Sequence, residues 1–592
     1  MLPLNLNYFF ICDQKNANYR HFNHSNCFGL RVWRLTNVMN QTKLSTMLRT
    51  ITLISILFCF DFLSFKLTAQ DSVYEFIHAN KVKTGMSNYG SFFENEDNNS
   101  GFIVPYEEGG EILSTLWEAD VLISAADEHE NIIGSFSSCY WDRRRTTGPL
   151  NADEINFDFN KVWKIMKTEL DAFLFDLEDG QIDNIISANI IEWPGSGNPH
   201  YNGDLPIQEL APFHDANNDN IYNPLDGDFP TLGESLKTIK PDEFLFTIYH
   251  DTNSSSDCYS TKLEYQTFLY AFKSEDSNAV NHTIFVHQNI TNRDTIDYYN
   301  LNYGTILYSG IGCGVDDFVG CTPETNSYYI YNKDNVDDID SFNICSSLSF
   351  YGINPPVQSV LYLNHDLQSF VANPRWTAGG CEAESVCQNL DTYLNGQWRD
   401  GTPITVGGNG LNEWNPMNLD TTTFTYFGDP SDTTEWSMMT GDVSYCFETV
   451  SGINIGALES GESFTVDMAY IYTREPGANH LENIDYAKND VSEIQDLYDN
   501  RFGFTSSIHG TKHKEIEKGV SIFPNPSTGS INILSPENIR QFNVIDHLGR
   551  TIQSGYVSER NQQITLNEHG VYFLQLLNQQ SNIVETQKII IL

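Results

Sequence analysis

Short runs of aromatic and β-branched residues, each about as long as one β-strand, dominate the sequence after residue 243. The clearest runs cover residues 244–249, 265–271, 283–289, 297–309 and 463–473. Polar turn segments such as residues 291–294 separate them, which is typical of consecutive antiparallel strands. We therefore predict a mainly β protein whose body is a large β-sandwich or a similar antiparallel structure.

Two segments show the periodicity of an amphipathic helix instead. The apolar residues of the first recur at three- and four-residue steps, at Val162, Met166, Leu170, Phe173 and Leu177. Those of the second are Ile484, Ala487, Val491, Ile494 and Leu497. Each stripe predicts a helix that packs one face on the core, so we expect a few helices in the body.

The first 69 residues differ from the rest of the chain. Residues 1–46 show no periodicity, and we interpret them as an upstream extension that is not part of the native protein. Residues 47–69 combine a short basic start, the apolar run 51–60 and a small residue, Ala69, before the break. This pattern predicts a secretory signal peptide, with translation from Met47 and cleavage after Ala69.

The chain is strongly acidic, with 78 Asp and Glu residues against 33 Lys and Arg residues. A net charge of −45 lacks the basic footprint that nucleic-acid binding requires, so we expect no nucleic-acid partner. The charge suits a soluble extracellular protein, or one whose carboxylates bind divalent cations.

The cysteine count is compatible with disulfide bonds. Removal of residues 1–69 takes away three of the eleven cysteines and leaves an even number, as is common in exported proteins. The two local pairs that we favour join Cys313 with Cys321 and Cys381 with Cys387.

The strongest chemical pattern in the body is an Asn- and Asp-rich loop at residues 215–226. Its oxygen-bearing side chains fall at positions 1, 3, 5, 9 and 12, and position 7 offers a backbone carbonyl. These six residues are Asp215, Asn217, Asp219, Asn223, Asp226 and Ile221. Calcium takes six to eight oxygen ligands, and a twelve-residue loop of this kind wraps around one ion.

The loop is similar to the calcium loops of dockerins and EF-hands, with two departures. Asn220 stands at position 6 where those families have glycine, although Asn tolerates a left-handed backbone. Pro224 argues against the helix that flanks the loop in those families. We predict a structural Ca²⁺ site, with a solvated Asn/Asp turn as the alternative.

A second candidate for cation binding is the pair Asp316 and Asp317. It lies in the loop at residues 312–321, which the predicted Cys313–Cys321 bond would close. The alternative is again a solvated turn.

No catalytic motif stands out in the sequence. It has no His-Glu-x-x-His, no Gly-x-Ser-x-Gly and no Walker motif. Four tryptophans fall among polar loops, where they would stack on sugars or peptides if exposed and fasten the loops to the core if buried. They are Trp376, Trp398, Trp414 and Trp436.

Residues 519–592 form a separate pattern of six or seven short strands after a polar linker at residues 504–518. Their alternation predicts a small Ig-like β-sandwich. Four sequence elements mark this tail, namely Phe-Pro-Asn-Pro at 523–526, Asp-x-x-Gly-Arg at 546–550, Gly-Val-Tyr-Phe at 570–573 and Lys588 before an apolar strand. In their order and spacing they resemble the type A C-terminal sorting domain of the type IX secretion system.

The resemblance implies a sorting signal rather than a catalytic role for the tail. The residues that match the motif are Pro524, Asn525, Pro526, Asp546, Gly549, Arg550, Gly570, Tyr572 and Lys588. It further implies passage through the outer-membrane translocon, removal of the tail by the sorting protease, and either attachment to surface lipopolysaccharide or release. The expected location is the medium or the outer surface of a Gram-negative bacterium.

For the body, residues 70–503, we predict extracellular binding or adhesion, with structural calcium and an unidentified ligand, and we favour a non-enzymatic role. The body resembles uncharacterised cargo of the same system, which has no activity to carry over. The alternatives are a secreted hydrolase acting on polysaccharide or peptide and a structural surface-layer component. Hydrolysis predicts a deep cleft with two carboxylates roughly 5 to 10 Å apart, whereas binding predicts exposed aromatic patches without such a cleft.

Overall fold

The computed structural model divides into two compact units, Met1–Arg501 and Phe502–Leu592. The described residues are 73–93, 101–136, 145–150, 159–177, 182, 185–202, 210–233, 239–252, 261–275, 277–338, 349–372, 387–411, 420–441, 448–500, 521–523, 527, 530–534, 539–546, 550–556, 561–566, 569–578 and 583–591. The predicted upstream extension, signal peptide and linker lie outside them and stay predictions.

The first unit, which we call the body, is built mainly from β-strands. In chain order they begin with β1 (Tyr74–Ile77), β2 (Thr84–Ser87), β3 (Phe102–Ile103), β4 (Ser114–Ala126), β5 (Ile132–Phe136), β6 (Thr146–Thr147), β7 (Trp163–Met166), β8 (Phe213–His214), β9 (Phe229–Pro230), β10 (Glu243–His250), β11 (Leu263–Ala271) and β12 (Thr283–Asn292). They continue with β13 (Tyr298–Ser309), β14 (Asp317–Thr322), β15 (Ser327–Asn332), β16 (Val336–Asp337), β17 (Gly352–Ile353), β18 (Val357–Tyr362), β19 (Ser369–Ala372), β20 (Ile404–Thr405), β21 (Thr421–Thr422), β22 (Glu448–Leu458) and β23 (Ser463–Thr473).

The larger sheet has nine strands in the order β14-β15-β18-β23-β12-β11-β10-β6, with β7 also paired to β10. Every residue of β10 and β11 is buried, because both faces of this sheet are covered. On the outer face, the ring of Trp193, which lies outside the sheet, is 5.0 Å from that of Phe246. Burial on both faces explains why these strands are continuous apolar runs in the sequence.

The smaller sheet has six strands in the order β19-β22-β13-β4-β3, with β5 paired to β4. Side chains of both sheets belong to one hydrophobic core, with Leu245 and Val286 from the larger sheet and Ile123 and Ile306 from the smaller. All the pairings within these two sheets that join described strands are antiparallel. The predicted mainly β, sandwich-like body is therefore confirmed.

The helices are few and lie between or beside the strands. They are α1 (Lys167–Asp176), α2 (Ala188–Ile191), α3 (Asn278–Asn281), α4 (Cys387–Leu394) and α5 (Glu482–Asp499). Helix α5 confirms the second helical prediction, because the five residues of its predicted apolar stripe are all buried. It packs against β18 and β23.

The first helical prediction is wrong over its first turn. Residues Trp163–Met166 form strand β7, which pairs with β10, and the helix begins only at Lys167. The open edge of β10 supplies main-chain partners to these residues, and this outweighs their helical periodicity. Met166 consequently leaves the apolar stripe and is 40% exposed.

The C-terminal unit is a small two-sheet β-structure. Its strands are β24 (Ser521–Phe523), β25 (Ser530–Leu534), β26 (Ile539–Asp546), β27 (Thr551–Tyr556), β28 (Asn561–Thr565), β29 (Gly570–Asn578) and β30 (Ile583–Ile591). One sheet has the order β24-β25-β28 and the other β27-β26-β29-β30. Ile531 and Ile564 from the first sheet share a core with Val544, Leu574 and Ile589 from the second, as a β-sandwich requires.

Candidate functional site

A cleft of 660 Å³ opens beside the C-terminal half of α5. The loop at residues 363–368 and the 3-10 turn Pro323–Thr325 form its other walls. Twelve of its fourteen lining residues have polar side chains, and the apolar exceptions are Leu363 and Val491. We refer to this cavity as the acidic cleft, because four lining residues are carboxylates, namely Glu324, Asp366, Asp496 and Asp499.

Hydrogen bonds fix the loop that forms one wall of the acidic cleft. Asn364 donates to the carbonyl of Thr465 at 3.1 Å and accepts from the amide of Asp467 at 2.9 Å. The ring of His365 donates from Nε2 to the same Thr465 carbonyl at 2.7 Å. These bonds tie the loop to β23, so the wall is set by the sheet beneath it.

Two carboxylates of the cleft are held by side-chain amides. Gln495 of α5 donates to Asp499 at 3.0 Å and to the carbonyl of Leu363 at 3.1 Å, which joins helix and loop. Asn326, which has a left-handed backbone with φ of 53°, donates to Asp366 at 3.5 Å. Among the fourteen lining residues there is no Lys or Arg, so the cleft presents negative charge and hydrogen-bonding groups.

Sequence reasoning did not find the acidic cleft. Its helical wall comes from Ser492, Gln495, Asp496 and Asp499 of α5, and their three- and four-residue steps mark one polar helix face. That face was visible in the sequence, but its pairing with the loop at 363–368 depends on the long-range packing of α5 on β18 and β23.

Of the four tryptophans predicted to lie among polar loops, the two that the structure describes, Trp398 and Trp436, are buried and provide no stacking surface. Trp398 and Trp436 are 1% and 8% exposed. Their ring nitrogens donate to the carbonyls of Gly410 at 3.0 Å and Gly408 at 2.9 Å, which fastens that loop to the body. Trp376 and Trp414 lie outside the described residues.

The predicted calcium loop wraps around Asp215. The carboxylate of Asp215 accepts from the amides of Asn218 at 2.7 Å and Asn220 at 2.8 Å. Both asparagines have left-handed backbones, with φ of 60° and 61°, so Asn220 adopts the conformation that glycine provides at position 6 of related loops. The Asp219 carboxylate accepts from the amide of Ile221 at 2.8 Å.

The remaining predicted ligands lie at the other end of the loop. Asn223 donates to the Asp226 carboxylate at 2.6 Å, and its own side-chain oxygen accepts from the amide of Leu225 at 3.2 Å. The 3-10 turn Pro224–Asp226 follows, as the proline at its start favours. No flanking helix extends from this end among the described residues.

The sequence did not single out Asp228, two residues beyond the predicted loop. Asp228 is buried and accepts from the amides of Ala216 and Asn223, each at 2.8 Å, which closes the loop on itself. Burial, and to a smaller extent the charges of Asp215 and Asp219, raise the pKa of Asp228. Within the described residues, no group of three or more acidic, histidine or cysteine side chains is arranged to hold a metal, and the calcium site stays a prediction.

The second predicted pair lies where β13 is connected to β14. Asp317 is fully buried, and burial together with the charges of Asp337 and Asp316 raises its pKa well above the usual range. Burial and the nearby charge of Asp334 raise the pKa of Asp316 to about 6. For Asp337, which the sequence did not indicate, burial and the charge of Asp316 also raise the pKa to about 6.

The predicted bond between Cys313 and Cys321 is wrong. Cys321 carries a free, buried thiol, which donates to the carbonyl of Thr425 at 3.3 Å, whereas Cys313 is disulfide-bonded. Cys321 lies inside β14 and faces Tyr328 of β15 across the sheet, so strand pairing rather than a covalent loop fixes its position. The predicted Cys381–Cys387 pair lies outside the side chains that the structure describes.

Part of the predicted sorting signal lies on neighbouring strands of the C-terminal unit. Asp546 of β26 is the cross-strand partner of Tyr572 of β29, and Lys588 of β30 pairs with the next residue, Phe573. Tyr572 is buried, and its ring lies within 3.4 Å of the position where a Cβ on Gly570 would stand. Arg550 is exposed. Pro524, Asn525, Pro526 and Gly549 lie outside the described residues.

Within the described part of the chain, no helix combines the length and apolar composition that crossing a membrane requires.

A search of curated protein sequences found no match. In a comparison with solved structures, the chain is similar to a polysaccharide lyase, at 8% sequence identity and a TM-score of 0.17. The similar region covers 62% of this chain and 37% of the lyase. The chain is also similar to an aldose 1-epimerase from Escherichia coli K12, at 8% identity and a TM-score of 0.23, over 68% of this chain and 100% of the epimerase. Likenesses this weak carry no argument about fold or activity.

Residues 521–592 match the family model described as the secretion system C-terminal sorting domain. The match covers the whole described C-terminal sandwich, including the strands that bear Asp546, Tyr572 and Lys588. It agrees with the resemblance of the tail motifs and implies secretion to the medium or the cell surface. The chain is therefore a cargo protein of the type IX secretion system that carries its sorting domain at its C-terminal end.

Proposed function

We propose that the body is an extracellular binding or adhesion module whose ligand occupies the acidic cleft. The observation that supports this role is the cleft itself, a preformed cavity of 660 Å³ with a wall tied by hydrogen bonds to β23. A cavity of this size suits a small ligand or one or two units of a polymer. A wall that is fixed in advance reduces the entropy lost on binding.

The charge of the acidic cleft selects the class of ligand. Its four carboxylates lie in a concave surface without a lining Lys or Arg, on a chain with a net charge of −45. Such a surface repels anions and concentrates cations. The ligand is therefore a neutral polyhydroxylated molecule or one that carries an amine, such as an amino sugar or a basic peptide side chain.

Hydrolysis is the second candidate, because the acidic cleft is lined by carboxylates. Among its described lining residues, the cleft also lacks the exposed aromatic patch that we expected of a binding protein from the sequence. A glycosidase needs a general acid that stays protonated near neutral pH, and this usually requires an apolar pocket. The acidic cleft offers only two apolar lining residues, Leu363 and Val491. This polar environment is why we favour binding; a structural surface-layer role remains the third alternative.

Calcium in the loop at 215–226 would serve stability rather than ligand binding. Asp215, Asp219 and Asp228 are joined to the loop backbone by hydrogen bonds, and Ca²⁺ would add oxygen coordination that fixes the same turn. Melting with calcium and with chelator tests this assignment. Calcium at millimolar concentration should raise the melting temperature of the wild type, and Asp219→Asn should reduce the gain; an unchanged wild type counts against the site.

The finer steps of export are also proposals. The match at residues 521–592 implies contact with the type IX machinery, and we propose that the system's sorting protease removes this tail in a Gram-negative host. The body would then be attached to surface lipopolysaccharide or released. Mass spectrometry of the exported protein tests the cleavage. If the tail is removed, the C-terminus of the exported protein should lie before the sorting domain.

The binding role is tested with the full mature chain on an array of neutral, amino and acidic glycans, followed by titration of the hits. Asp366→Asn and Asp496→Asn remove charge from the acidic cleft, while Asp432→Asn removes the same charge from an exposed turn outside it. We expect the cleft variants alone to weaken binding of amino or neutral sugars. Binding that is unaffected by both cleft variants would refute the assignment, and release of shortened oligosaccharides on incubation would favour the hydrolase.

A further inference from the structure

The sorting motifs of the C-terminal unit meet at one end of its four-stranded sheet. Strand β26 ends at Asp546, β27 begins directly after Arg550, and β29 begins at Gly570. Because β26 pairs antiparallel with both β27 and β29, its last residues lie beside the first residues of these two strands. Near the end of β30, Lys588 pairs with Phe573 of β29. We call this region the signal end, and it comprises residues 545–546, 550–552, 570–573 and 588–591.

One residue of the signal end serves the fold. Tyr572 is buried and belongs to the sandwich core together with Val544 and Leu574. Successive residues of a strand point to opposite faces of the sheet. Tyr572 therefore points into the core, and Phe573 points to the outer face of the sheet.

Three apolar side chains of the signal end remain in contact with water. Phe573 is 39% exposed, although phenylalanine is among the residues most often buried. Its cross-strand partner Ile545 is only partly buried and lies on the same face. Ile552 is 51% exposed at the β-bulge where β27 passes Ile545. Packing of the core does not account for these three side chains, and exposed apolar groups placed together mark an interaction site.

The charge of the C-terminal unit favours a partner that is recognised by apolar contact. Residues 521–592 contain four Lys and Arg against five Asp and Glu, a formal charge of −1, while the whole chain carries −45. The acidity of the chain therefore lies elsewhere, and this unit does not repel a neutral or acidic surface. Arg550 is exposed directly before the strand that carries Ile552, as in the polar rim of an interface.

The family match indicates which partner occupies this surface. The match to the sorting domain implies contact with the type IX machinery, and the five described motif positions all lie at the signal end. We propose that Phe573, Ile545 and Ile552 form the surface on which a component of that machinery docks, through an apolar patch of its own with a carboxylate near Arg550. The proposal rests on the sorting match and is independent of the acidic cleft. It separates two roles within the Gly-Val-Tyr-Phe motif, because Tyr572 stabilises the sandwich whereas Phe573 contacts the partner.

The experiment expresses the full chain and its variants in a bacterium that has this system, and measures the body in the periplasm, on the surface and in the medium. Phe573→Thr and Ile552→Thr remove apolar surface with a residue that favours strands. We expect Phe573→Thr to lower the exported fraction roughly tenfold, as truncation of a central apolar anchor lowers affinity. Ile552→Thr should act in the same direction, and Phe573→Leu should restore most of the export. Tyr556→Thr is the matched control and should be exported like the wild type, because Tyr556 is 74% exposed at the other end of the same sheet.

The fold of the variants is checked on the purified full chain. Trypsin should cut the C-terminal unit of Phe573→Thr no faster than that of the wild type, because Phe573 lies outside the core. If it is cut faster, Ile552→Thr on the edge strand β27 decides in the same way. Faster cleavage of both variants would mean that the two residues serve the fold, and this would overturn the proposal.

A chain lacking residues 521–592 separates failure of this surface from failure of the sorting role. Export of the truncated chain would refute the sorting role itself. If the truncated chain is retained, wild-type export of both Phe573→Thr and Ile552→Thr would overturn the docking surface alone, and so would an equal loss of export in Tyr556→Thr. A wild type that is a dimer by analytical ultracentrifugation and a Phe573→Thr chain that is a monomer would assign the surface to a second copy of the chain instead.

Discussion

Asp490 of helix α5 offers the sharpest test of the electrostatics of the body. Burial, followed by the charges of Glu493 and Glu475, raises its pKa from 3.8 to about 6, despite the hydrogen bond that Thr473 donates at 2.5 Å. A shift of about two pKa units corresponds to up to ~3 kcal/mol at 1.36 kcal/mol per unit. Because the folded state holds this proton more tightly than the unfolded state, the contribution of Asp490 to the free energy of unfolding is fully present below pH 4 and is lost as pH rises from 4 to 6.

Asp490→Asn removes the ionisable group but keeps an acceptor for Thr473. Calorimetric melting should show the variant about 1–3 kcal/mol more stable than the wild type at pH 7.5 and equal to it near pH 4. Asp485→Asn, on an exposed position of the same helix, is the control and should not change the pH dependence. Equal differences from wild type at both pH values would refute the reasoning.

Three further changes test other parts of the body by melting experiments. Burial lowers the pKa of His250 to about 4, so the contribution of His250 to wild-type stability should fall as pH falls from 6.5 towards 4, by about 2 kcal/mol at pH 5. The difference in stability between His250→Gln and the wild type should change by this amount over the same range. Ile494→Ala should lower the free energy of unfolding by about 2–5 kcal/mol, because Ile494 is fully buried on the core-facing side of α5. Tyr486→Ala, on the exposed side of that helix, should lower it by less than ~1 kcal/mol. Gly90→Ala should cost about 3 kcal/mol or more, because Gly90 has a φ of 89° and its Cβ would meet the Tyr249 ring at 2.1 Å; a cost below ~1 kcal/mol would contradict the proposed clash.

The strands of the core could be predicted from the sequence because local composition decides them. The apolar runs became β10, β11, β12, β13 and β23 almost at their expected bounds. Helix α5 was predictable for a similar reason, since its stripe and its buried face coincide. Strand β7 was not predictable, because its conformation depends on an edge of β10 that is 80 residues away in the chain.

The candidate sites were predictable only where neighbours in sequence form them. Asn220 could be expected to take a left-handed backbone, and it does. Asp337 lies twenty residues from Asp317, and His365 lies a hundred residues from its partner Thr465. These contacts arise from packing of the sheets, so no spacing rule in a single sequence could indicate them.

The central claim is that the C-terminal unit directs this chain through the type IX secretion system. The most direct measurement expresses the full chain and a chain lacking residues 521–592 in a bacterium that has this system, and then quantifies the body in the periplasm, on the surface and in the medium. The full chain should reach the surface or the medium, and the truncated chain should accumulate in the periplasm. Equal export of the two chains would contradict the account.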